Sequence, residues 1–238
     1  MKKVILTGHS KGLGKALARS LIEKGCDVLG LSRSRSDDLN GLQQVMLDLS
    51  DGSALLQWIE SGVLNTFLKG TEQAILVNNS GVVSPVGPLG KQENYDIVRS
   101  VDLNVSAPLI LSNSFVENTD CVPDRRILHI SSGAGRAGMA SWSVYCATKA
   151  ALDNHARAVN EDGIPNLKIS SLAPGIVDTG MQADIRSCNA EEFPHVRTFQ
   201  DFKTEGDLAS PEETAAKITK MLLSPAFGED LVTDVRDY

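Results

Sequence analysis

Short apolar runs alternate along the chain with segments of helical periodicity. Each run predicts a buried strand, and the runs occupy residues 4–7, 27–32, 45–49, 74–78, 126–130, 168–173 and 231–235. Between the runs, apolar residues recur every three or four positions and predict helices, above all over residues 13–22, 95–115, 141–159 and 211–223. This alternation predicts an α/β fold with a single Rossmann-type, doubly wound parallel sheet flanked by helices.

Residues 176–207 follow neither pattern. They lose periodicity and are too long for a simple connector, so we expect them to form a lid over a substrate site. No internal repeat, low-complexity tract or linker interrupts the sequence. We therefore predict one domain over residues 1–238.

The first predicted strand runs directly into a glycine-rich turn. The turn reads Gly8-His9-Ser10-Lys11-Gly12-Leu13-Gly14, and a predicted helix follows it. In this context glycines let the backbone approach a pyrophosphate, and the helix N-terminus stabilises its charge. The spacing, Gly-x-x-x-Gly-x-Gly, predicts a dinucleotide site, and a merely tight turn is the alternative.

The end of the second predicted strand indicates which dinucleotide binds. An acidic residue at this place binds a ribose 2′-hydroxyl, whereas Arg accommodates a 2′-phosphate. Here Arg33 and Arg35 follow the strand, and no acidic residue comes before Asp37. Lys11 adds a second cation near Arg33, so we predict NADP(H); two solvated surface cations are the alternative.

Amide side chains mark two further places. Residues 78–81, Asn-Asn-Ser-Gly, follow the fourth predicted strand and suit a backbone that crosses beside a cofactor. Asn104 lies inside the long predicted helix 95–115. Because Asn is a mediocre helix former, we predict a buried Asn104 with a polar task, and a solvated Asn is the alternative.

Tyr145 and Lys149 are four residues apart and therefore share one face of a helix. A nearby ammonium favours a phenolate and lowers the pKa of the phenol, which brings Tyr145 towards general acid/base work. Ser132 lies at the end of the strand predicted over residues 126–130. The three residues predict a catalytic group, although a Tyr-x-x-x-Lys pattern alone also occurs on ordinary helix faces.

Composition narrows the class of protein. The net charge of −7 argues against nucleic acid or an anionic membrane as the main partner, and no apolar span is long enough to cross a membrane. The four cysteines show no Cys-x-x-Cys spacing, which favours a reducing, cytoplasmic setting. The four histidines are isolated from one another in sequence, so we predict no metal site.

Taken together, the motifs resemble those of the short-chain dehydrogenase/reductase family over nearly the full chain. The matching pieces are Thr7-Gly8-x-x-x-Gly12-x-Gly14, Asp48, Asn78-Asn79-Ser80-Gly81, Asn104, Ser132, Tyr145-x-x-x-Lys149 and Pro174-Gly175. Ser80 stands where the family usually has Ala. The stretches 175–182 and 202–208 and the terminal Asp234-x-x-Asp237 are similar to the sepiapterin reductase and benzil reductase branch.

The resemblance implies a role for each catalytic residue. Tyr145 would protonate a carbonyl oxygen as hydride arrives from nicotinamide. Lys149 would lower the pKa of Tyr145 and bond the nicotinamide ribose. Ser132 would hydrogen-bond the carbonyl, and Asn104 would hold a water that links Lys149 to solvent.

The resemblance and the residue patterns together predict two sets of binding residues. The cofactor set is Gly8, Ser10, Lys11, Gly12, Leu13, Gly14, Arg33, Asp48, Leu49, Asn79, Ser80, Gly81, Tyr145, Lys149, Pro174, Gly175, Val177 and Thr179. The substrate set is Ser132, Met139, Trp142, Met181 and Asp234. In sepiapterin reductases a terminal carboxylate anchors the pterin ring, and Asp234 is the matching position, whereas a vicinal diketone needs no such group.

These expectations describe an NADPH-dependent carbonyl reductase for an aromatic ketone or a vicinal dicarbonyl, with sepiapterin as one possible substrate. The alternatives are a non-catalytic NADP(H)-sensing protein and a 3-oxoacyl-type reductase; the family's usual ending, Val-Asp-Gly-Gly after a Thr-Gly turn, is missing, which counts against the latter. The resemblance further implies a homo-oligomer, most simply a dimer, that forms through helices 95–115 and 141–159.

Overall fold

A computed structural model describes all 238 residues and contains one sheet of seven parallel strands. In chain order the strands are β1 Lys2–Thr7, β2 Asp27–Ser32, β3 Leu42–Met46, β4 Gln73–Asn78, β5 Asp124–Ile130, β6 Leu167–Ala173 and β7 Val232–Asp234. Their order across the sheet is β3-β2-β1-β4-β5-β6-β7. The chain therefore turns back between β1 and β4, as in a doubly wound sheet, and the predicted Rossmann-type fold is confirmed.

Helices cover both faces of the sheet. They are α1 Gly12–Glu23, α2 Gly52–Glu60, α3 Val63–Leu68, α4 Asn94–Val101, α5 Ala107–Glu117, α6 Ser143–Glu161, α7 Gly180–Ser187, α8 Val196–Glu205 and α9 Pro211–Leu223. Alternate residues of one strand point to opposite faces, so Val4 and Leu6 pack with α1 and α9, whereas Ile5 packs with the helices of the other face. Because both faces are covered, the strands appear in the sequence as continuous apolar runs.

The third strand lies three residues before its predicted place, at Leu42–Met46 instead of 45–49. The strand stops at Met46, two residues before Asp48. The Asp48 carboxylate accepts hydrogen bonds from the amide and the hydroxyl of Ser50, which form a turn instead of continuing the strand. Leu49 is nevertheless buried, since it packs into the core from the loop. The apolar run was thus a signal of burial and did not mark the strand itself.

The predicted helix over residues 95–115 is three consecutive segments. Between α4 and α5 the chain makes a π-helical turn, Asp102–Ser106, with Asn104 inside it. Single π-helical turns inside helices are frequent at functional sites.

The sequence predicted an irregular segment over residues 176–207, but the structure shows two helices there, α7 and α8. The two helices pack around Phe193, Phe199 and Ile185, and this cluster also contacts Trp142 at the start of α6. Val196, Phe199 and Phe202 are three residues apart, which is helical spacing that the sequence already contained. This helical spacing was overlooked because most of the neighbouring residues in the segment are polar.

No helix of the protein has both the length and the apolar character that crossing a membrane requires.

Candidate active site

The glycine turn between β1 and α1 has a shape that only glycine permits at three positions. Gly8 and Gly12 have φ values of +75° and +53°, in the left-handed region that other residues avoid. A Cβ on Gly14 would lie 2.0 Å from the Gly8 carbonyl oxygen. The turn therefore keeps bare backbone at the carboxyl edge of the sheet, beside the point where the strand order reverses.

The end of β4 is bound directly to the end of β1. The Thr7 hydroxyl accepts from the backbone amides of Asn79 and Ser80, each at 2.9 Å. The Asn79 side chain donates to the Thr7 carbonyl at 2.8 Å. Asn78 takes no part, because its side chain lies in the core and contacts Ser112 and His129.

One large cavity, of about 1070 Å³, opens along these strand ends. Every residue of the predicted cofactor and substrate sets lines this cavity. Asn104 is the one predicted site residue that does not. The cavity is therefore continuous from the glycine turn to Tyr145 and on to the aromatic cluster, which is what a cofactor and a second molecule in contact would require.

The outer part of the cavity carries positive charge and no acidic group at the end of β2. Lys11 and Arg33 are both exposed and line the cavity together with Ser34. Asp48 also lines it. Although burial alone would raise its pKa, the hydroxyl and amide of Ser50, with Arg33 nearby, hold the pKa of Asp48 below its ordinary value.

Asn104 is fully buried, as predicted, and its side chain holds the loop after β4 in place through hydrogen bonds. Its Oδ1 accepts from the Val82 amide at 2.9 Å, and its Nδ2 donates to the Val82 carbonyl at 2.8 Å. The same Nδ2 lies 3.2 Å from the hydroxyl of Thr148 on α6. The π-helical turn thus fixes the loop and the catalytic helix relative to each other, while the water that we expected Asn104 to hold stays a prediction.

Tyr145, Ser132 and Lys149 come together at the ends of β5 and α6. Ser132 lies near enough to the Tyr145 phenol to lower its pKa, and the Ser132 hydroxyl accepts from the Ala134 amide at 3.2 Å. Lys149 Nζ donates to the Ile130 carbonyl at 2.8 Å and lies 5.7 Å from the centroid of the Tyr145 ring.

The expected lowering of the Tyr145 pKa by Lys149 is wrong for this structure. Burial raises the pKa of Tyr145 to about 12, and the hydrogen bond with Ser132 offsets only part of the rise. The reason is that the Lys149 ammonium bonds a carbonyl and does not contact the phenol oxygen. Tyr145 consequently keeps its proton at neutral pH.

Burial also lowers the pKa of Lys149, to about 8, and Asp153 acts in the opposite direction. Asp153 is buried one helical turn after Lys149 and accepts from the Ser171 hydroxyl at 2.7 Å. Arg136 lies 3.4 Å from its other oxygen. Sequence reasoning missed Asp153, although the i, i+4 spacing from Lys149 was available as a signal.

The inner part of the cavity has aromatic walls. Trp142 stacks on Phe193 with centroids 4.8 Å apart and an interplanar angle of 5°. Met139, Met181 and Phe199 line the cavity beside Trp142. The lining residues that the sequence analysis missed include Gln182, Ile185, Phe199 and Phe202, which lie on the unpredicted helices α7 and α8.

Asp234 lines the cavity but already has partners. Its two carboxylate oxygens accept from Arg236 at 2.7 and 2.8 Å, and one of them also accepts from the Arg236 amide at 3.0 Å. These bonds hold the pKa of Asp234 below its ordinary value, although burial opposes the shift. A ligand that used Asp234 would have to displace or share Arg236.

The fold and the site together define a nucleotide-binding oxidoreductase of the tyrosine–lysine type. The family model "short chain dehydrogenase" matches residues 2–190. The chain belongs to the short-chain dehydrogenase/reductase family, whose members bind nicotinamide cofactors and act on CH–OH and C=O groups.

Relatives fall in the branch that the sequence resembles. A protein of Bacillus cereus named benzil reductase ((S)-benzoin forming) is 34% identical over 95% of this chain and 96% of its own length. An NADPH-dependent pterin aldehyde reductase of Arabidopsis thaliana is 27% identical over 96% of this chain and 90% of its own. The crystal structure of a short-chain dehydrogenase/reductase from Burkholderia vietnamiensis is 41% identical, covers 99% of this chain and 97% of its own, and has a TM-score of 0.72.

Proposed function

We propose that the protein is an NADPH-dependent carbonyl reductase, with an aromatic ketone or a vicinal dicarbonyl as its substrate. The observation that carries the proposal is the single cavity that joins the glycine turn, Tyr145 with the neighbouring Ser132, and an aromatic wall. A nicotinamide dinucleotide bound at the turn supplies a hydride, which reaches the carbonyl carbon while the oxygen takes a proton from the protein.

Tyr145 is the proposed proton donor. A phenol whose pKa is about 12 is fully protonated at neutral pH, so it holds a proton ready for a carbonyl oxygen. Ser132 lines the same cavity beside Tyr145 and is proposed to donate to the same oxygen. The proposed direction is therefore reduction, in which the phenol acts as an acid.

Lys149 is proposed to return a proton to Tyr145 and to bond the nicotinamide ribose. In the structure its ammonium donates to the Ile130 carbonyl and lies near the loop after β4, where a Cβ on Gly81 would be 3.4 Å from Nζ and 3.2 Å from Asn104 Oδ1. Glycine at this position therefore avoids a tight contact with both groups. Asn104 supports the arrangement through Val82 and Thr148.

NADPH is proposed over NADH because Lys11 and Arg33 line the outer cavity and no acidic side chain ends β2. A guanidinium can bond a phosphate in fork geometry, and an acidic residue that would bind a 2′-hydroxyl is missing. The residues present therefore fit a cofactor with a 2′-phosphate.

The substrate class follows from the inner walls and from the names of the relatives. Trp142, Phe199 and Phe202 suit flat or aromatic groups better than sugars or charged metabolites. Of the two relatives' substrates, a diketone such as benzil is favoured over a pterin, because Asp234 is already paired with Arg236. We further propose that residues 176–207 cover the bound substrate and exclude water.

NADPH oxidation with a panel of diketones and aromatic ketones tests this function. We expect turnover of benzil-like dicarbonyls and little turnover of sugars. Tight NADPH binding without turnover of any carbonyl would instead support the sensing protein. Asp234→Ala separates the two substrates. Loss of sepiapterin reduction with intact diketone reduction would support Asp234 as a pterin anchor. If both activities stay unchanged, Asp234 has a structural role and the pterin assignment is dropped.

A homodimer is also proposed, in the reducing cytoplasmic setting that the unpaired cysteines favour. Tyr95, Val98 and Val101 expose apolar surface on α4, and Tyr95 is 91% exposed. Such a patch would be covered by the same helix of a second copy. Light scattering tests it: a mass near 25.5 kDa would contradict the dimer, and Val98→Glu is expected to dissociate it.

A further inference from the structure

His9 lies inside the glycine turn but does not line the cavity, and its side chain is fully buried. Its Nε2 lies 3.0 Å from Oε1 of Gln44 on β3. Neither residue belongs to the predicted site, and the proposed function uses neither. The buried contact therefore needs its own explanation.

The Gln44 amide is held in one orientation by the loop after β2. Its Oε1 accepts from the Ser36 amide at 2.8 Å, and its Nε2 donates to the Ser36 carbonyl at 3.0 Å. Because Oε1 can only accept, Nε2 of His9 carries the proton that it donates. Burial lowers the pKa of His9, which agrees with a neutral ring.

The sheet makes room for the His9 ring. A Cβ on Gly30, in the middle of β2, would lie 2.4 Å from Nδ1 of His9. Glycine inside a strand weakens it and often marks a place where another group approaches closely. Gly30 is therefore needed for the His9 ring to lie against β2.

The loop that His9 reaches through Gln44 is the one that carries the proposed cofactor-selecting cation. Residues 33–38 have one buried member, Ser36, whereas Arg33 and Ser34 line the cavity. Ser34 is also 3.1 Å from Ser10, the neighbour of His9 in the glycine turn. His9 thus provides a buried connection between the turn and the loop, in addition to the exposed contact between Ser34 and Ser10.

We propose that His9 is a positioning residue for cofactor selection, which fixes the loop 33–38, and with it Arg33, against the glycine turn through Gln44. The inference rests on the proposed NADPH preference. In this proposal the His9–Gln44 pair affects binding of the 2′-phosphate end of the cofactor. It does not affect binding of the part that NADPH and NADH share.

Fluorescence titration of NADPH and NADH, with no carbonyl substrate present, tests the role. His9→Phe keeps a ring and removes the donor, and Gln44→Met removes the amide. A hydrogen bond contributes about 0.5–1.5 kcal/mol, so the Kd for NADPH is expected to rise about 2- to 12-fold, with little change for NADH. Gln43→Met, on the exposed side of the same strand, is the control and should change neither Kd.

Amide hydrogen exchange of the free protein gives a second readout. The peptide that contains Ser36 should exchange faster in His9→Phe and in Gln44→Met than in the unmutated protein or Gln43→Met. Equal losses of affinity for both cofactors, or unchanged exchange of this peptide, would overturn the role of His9. Equal affinities of the unmutated protein for both cofactors would overturn the proposed NADPH preference itself, and the exchange result would still decide whether the connection fixes the loop.

The partnership of His9 with Gly30 can be checked by compensation. Gly30→Ala should lower the thermal unfolding temperature because its methyl group meets the ring. His9→Ser should remove most of that loss in the double variant. An equal loss with and without the ring would show that His9 does not occupy the space over Gly30, and the proposed connection would fail.

Discussion

The two parts of the cavity are built in different ways. The dinucleotide part consists of strand ends and tight turns that bond to one another through the backbone, as in the bond from the Gly8 amide to the Leu31 carbonyl at 2.7 Å. The substrate part consists of side chains on α7 and α8 together with Met139 and Trp142, which precede α6. These helices leave and rejoin the body of the protein at one short bridge between Val177 and Ala209.

The difference explains which part of the ligand each can recognise. Backbone groups at fixed strand ends suit a cofactor that is the same in every turnover, and they demand glycine where a side chain would collide. Side chains on a separately closed segment can be exchanged without disturbing the sheet. Substrate choice is therefore free to change in the second part while cofactor binding stays as it is.

The largest expected effect lies where the two parts meet, at Tyr145. Tyr145→Phe removes the proposed proton donor and little volume, so kcat should fall about 10²- to 10⁴-fold. The Kd for NADPH should change little. Tyr95→Phe, at a tyrosine on α4 that does not line the cavity, is the matched control and should leave both quantities unchanged. If Tyr145→Phe keeps more than about a tenth of kcat, the acid is another residue.

The next largest effect belongs to the dinucleotide part alone. Arg33→Asp replaces the proposed phosphate ligand with a group that binds a 2′-hydroxyl, so the preference should reverse from NADPH to NADH. A charge-assisted hydrogen bond contributes about 1.5–3 kcal/mol, which corresponds to a change of roughly 10- to 150-fold in the ratio of kcat/KM values. Arg35→Asp is the control, because Arg35 is exposed but does not line the cavity. Equal kcat/KM for both cofactors in the unmutated protein would remove the basis of this prediction.

All the residues predicted for the dinucleotide part line the cavity, and the same physical reason made them recognisable in the sequence. The backbone of the turn allows only glycine at positions 8, 12 and 14, so the spacing of these glycines is enough to predict the turn. The fold class followed from alternating strands and helices. The pKa of Tyr145 did not follow, because it depends on burial and on where the Lys149 ammonium points, and neither is set by the i, i+4 spacing.

The substrate part was predicted less completely. Trp142 and Met181 were named, but Phe199 and Phe202 were not, because they lie on a helix whose polar residues hide its period. No backbone requirement fixes these side chains. The sequence therefore singled out residues 176–207 as a possible cover, which stays a prediction, without indicating which of them face the cavity.

A pair of phenylalanines sharpens the contrast inside the substrate part. Phe199 lines the cavity, whereas Phe193 is fully buried behind it and stacks on Trp142. An aromatic contact contributes about 0.5–1.5 kcal/mol beyond area burial, so Phe199→Leu should raise the KM for an aromatic diketone roughly 2- to 12-fold and leave the NADPH Kd unchanged. Phe193→Leu should mainly lower the thermal unfolding temperature. A larger KM effect at Phe193 than at Phe199 would mean that the stacked pair, and not the lining residue, forms the wall.

The smallest expected effect concerns Asp153. This residue lies on α6 one turn after Lys149, where the dinucleotide part and the substrate part of the cavity meet. The pKa of Lys149 is about 8, so its charged form is lost as the pH rises through that value, and kcat/KM should fall with it. Asp153 acts to raise this pKa, so Asp153→Asn should move the fall to lower pH and cost about two- to fivefold at about pH 9.5, where a shift of one pKa unit would change the charged fraction about tenfold. Glu161→Gln, at the exposed end of the same helix, is the control. A uniform loss of kcat/KM at every pH would instead mean that Asp153 acts through its bonds to Ser171 and Arg136, which hold α6 in place, and not through the charge of Lys149.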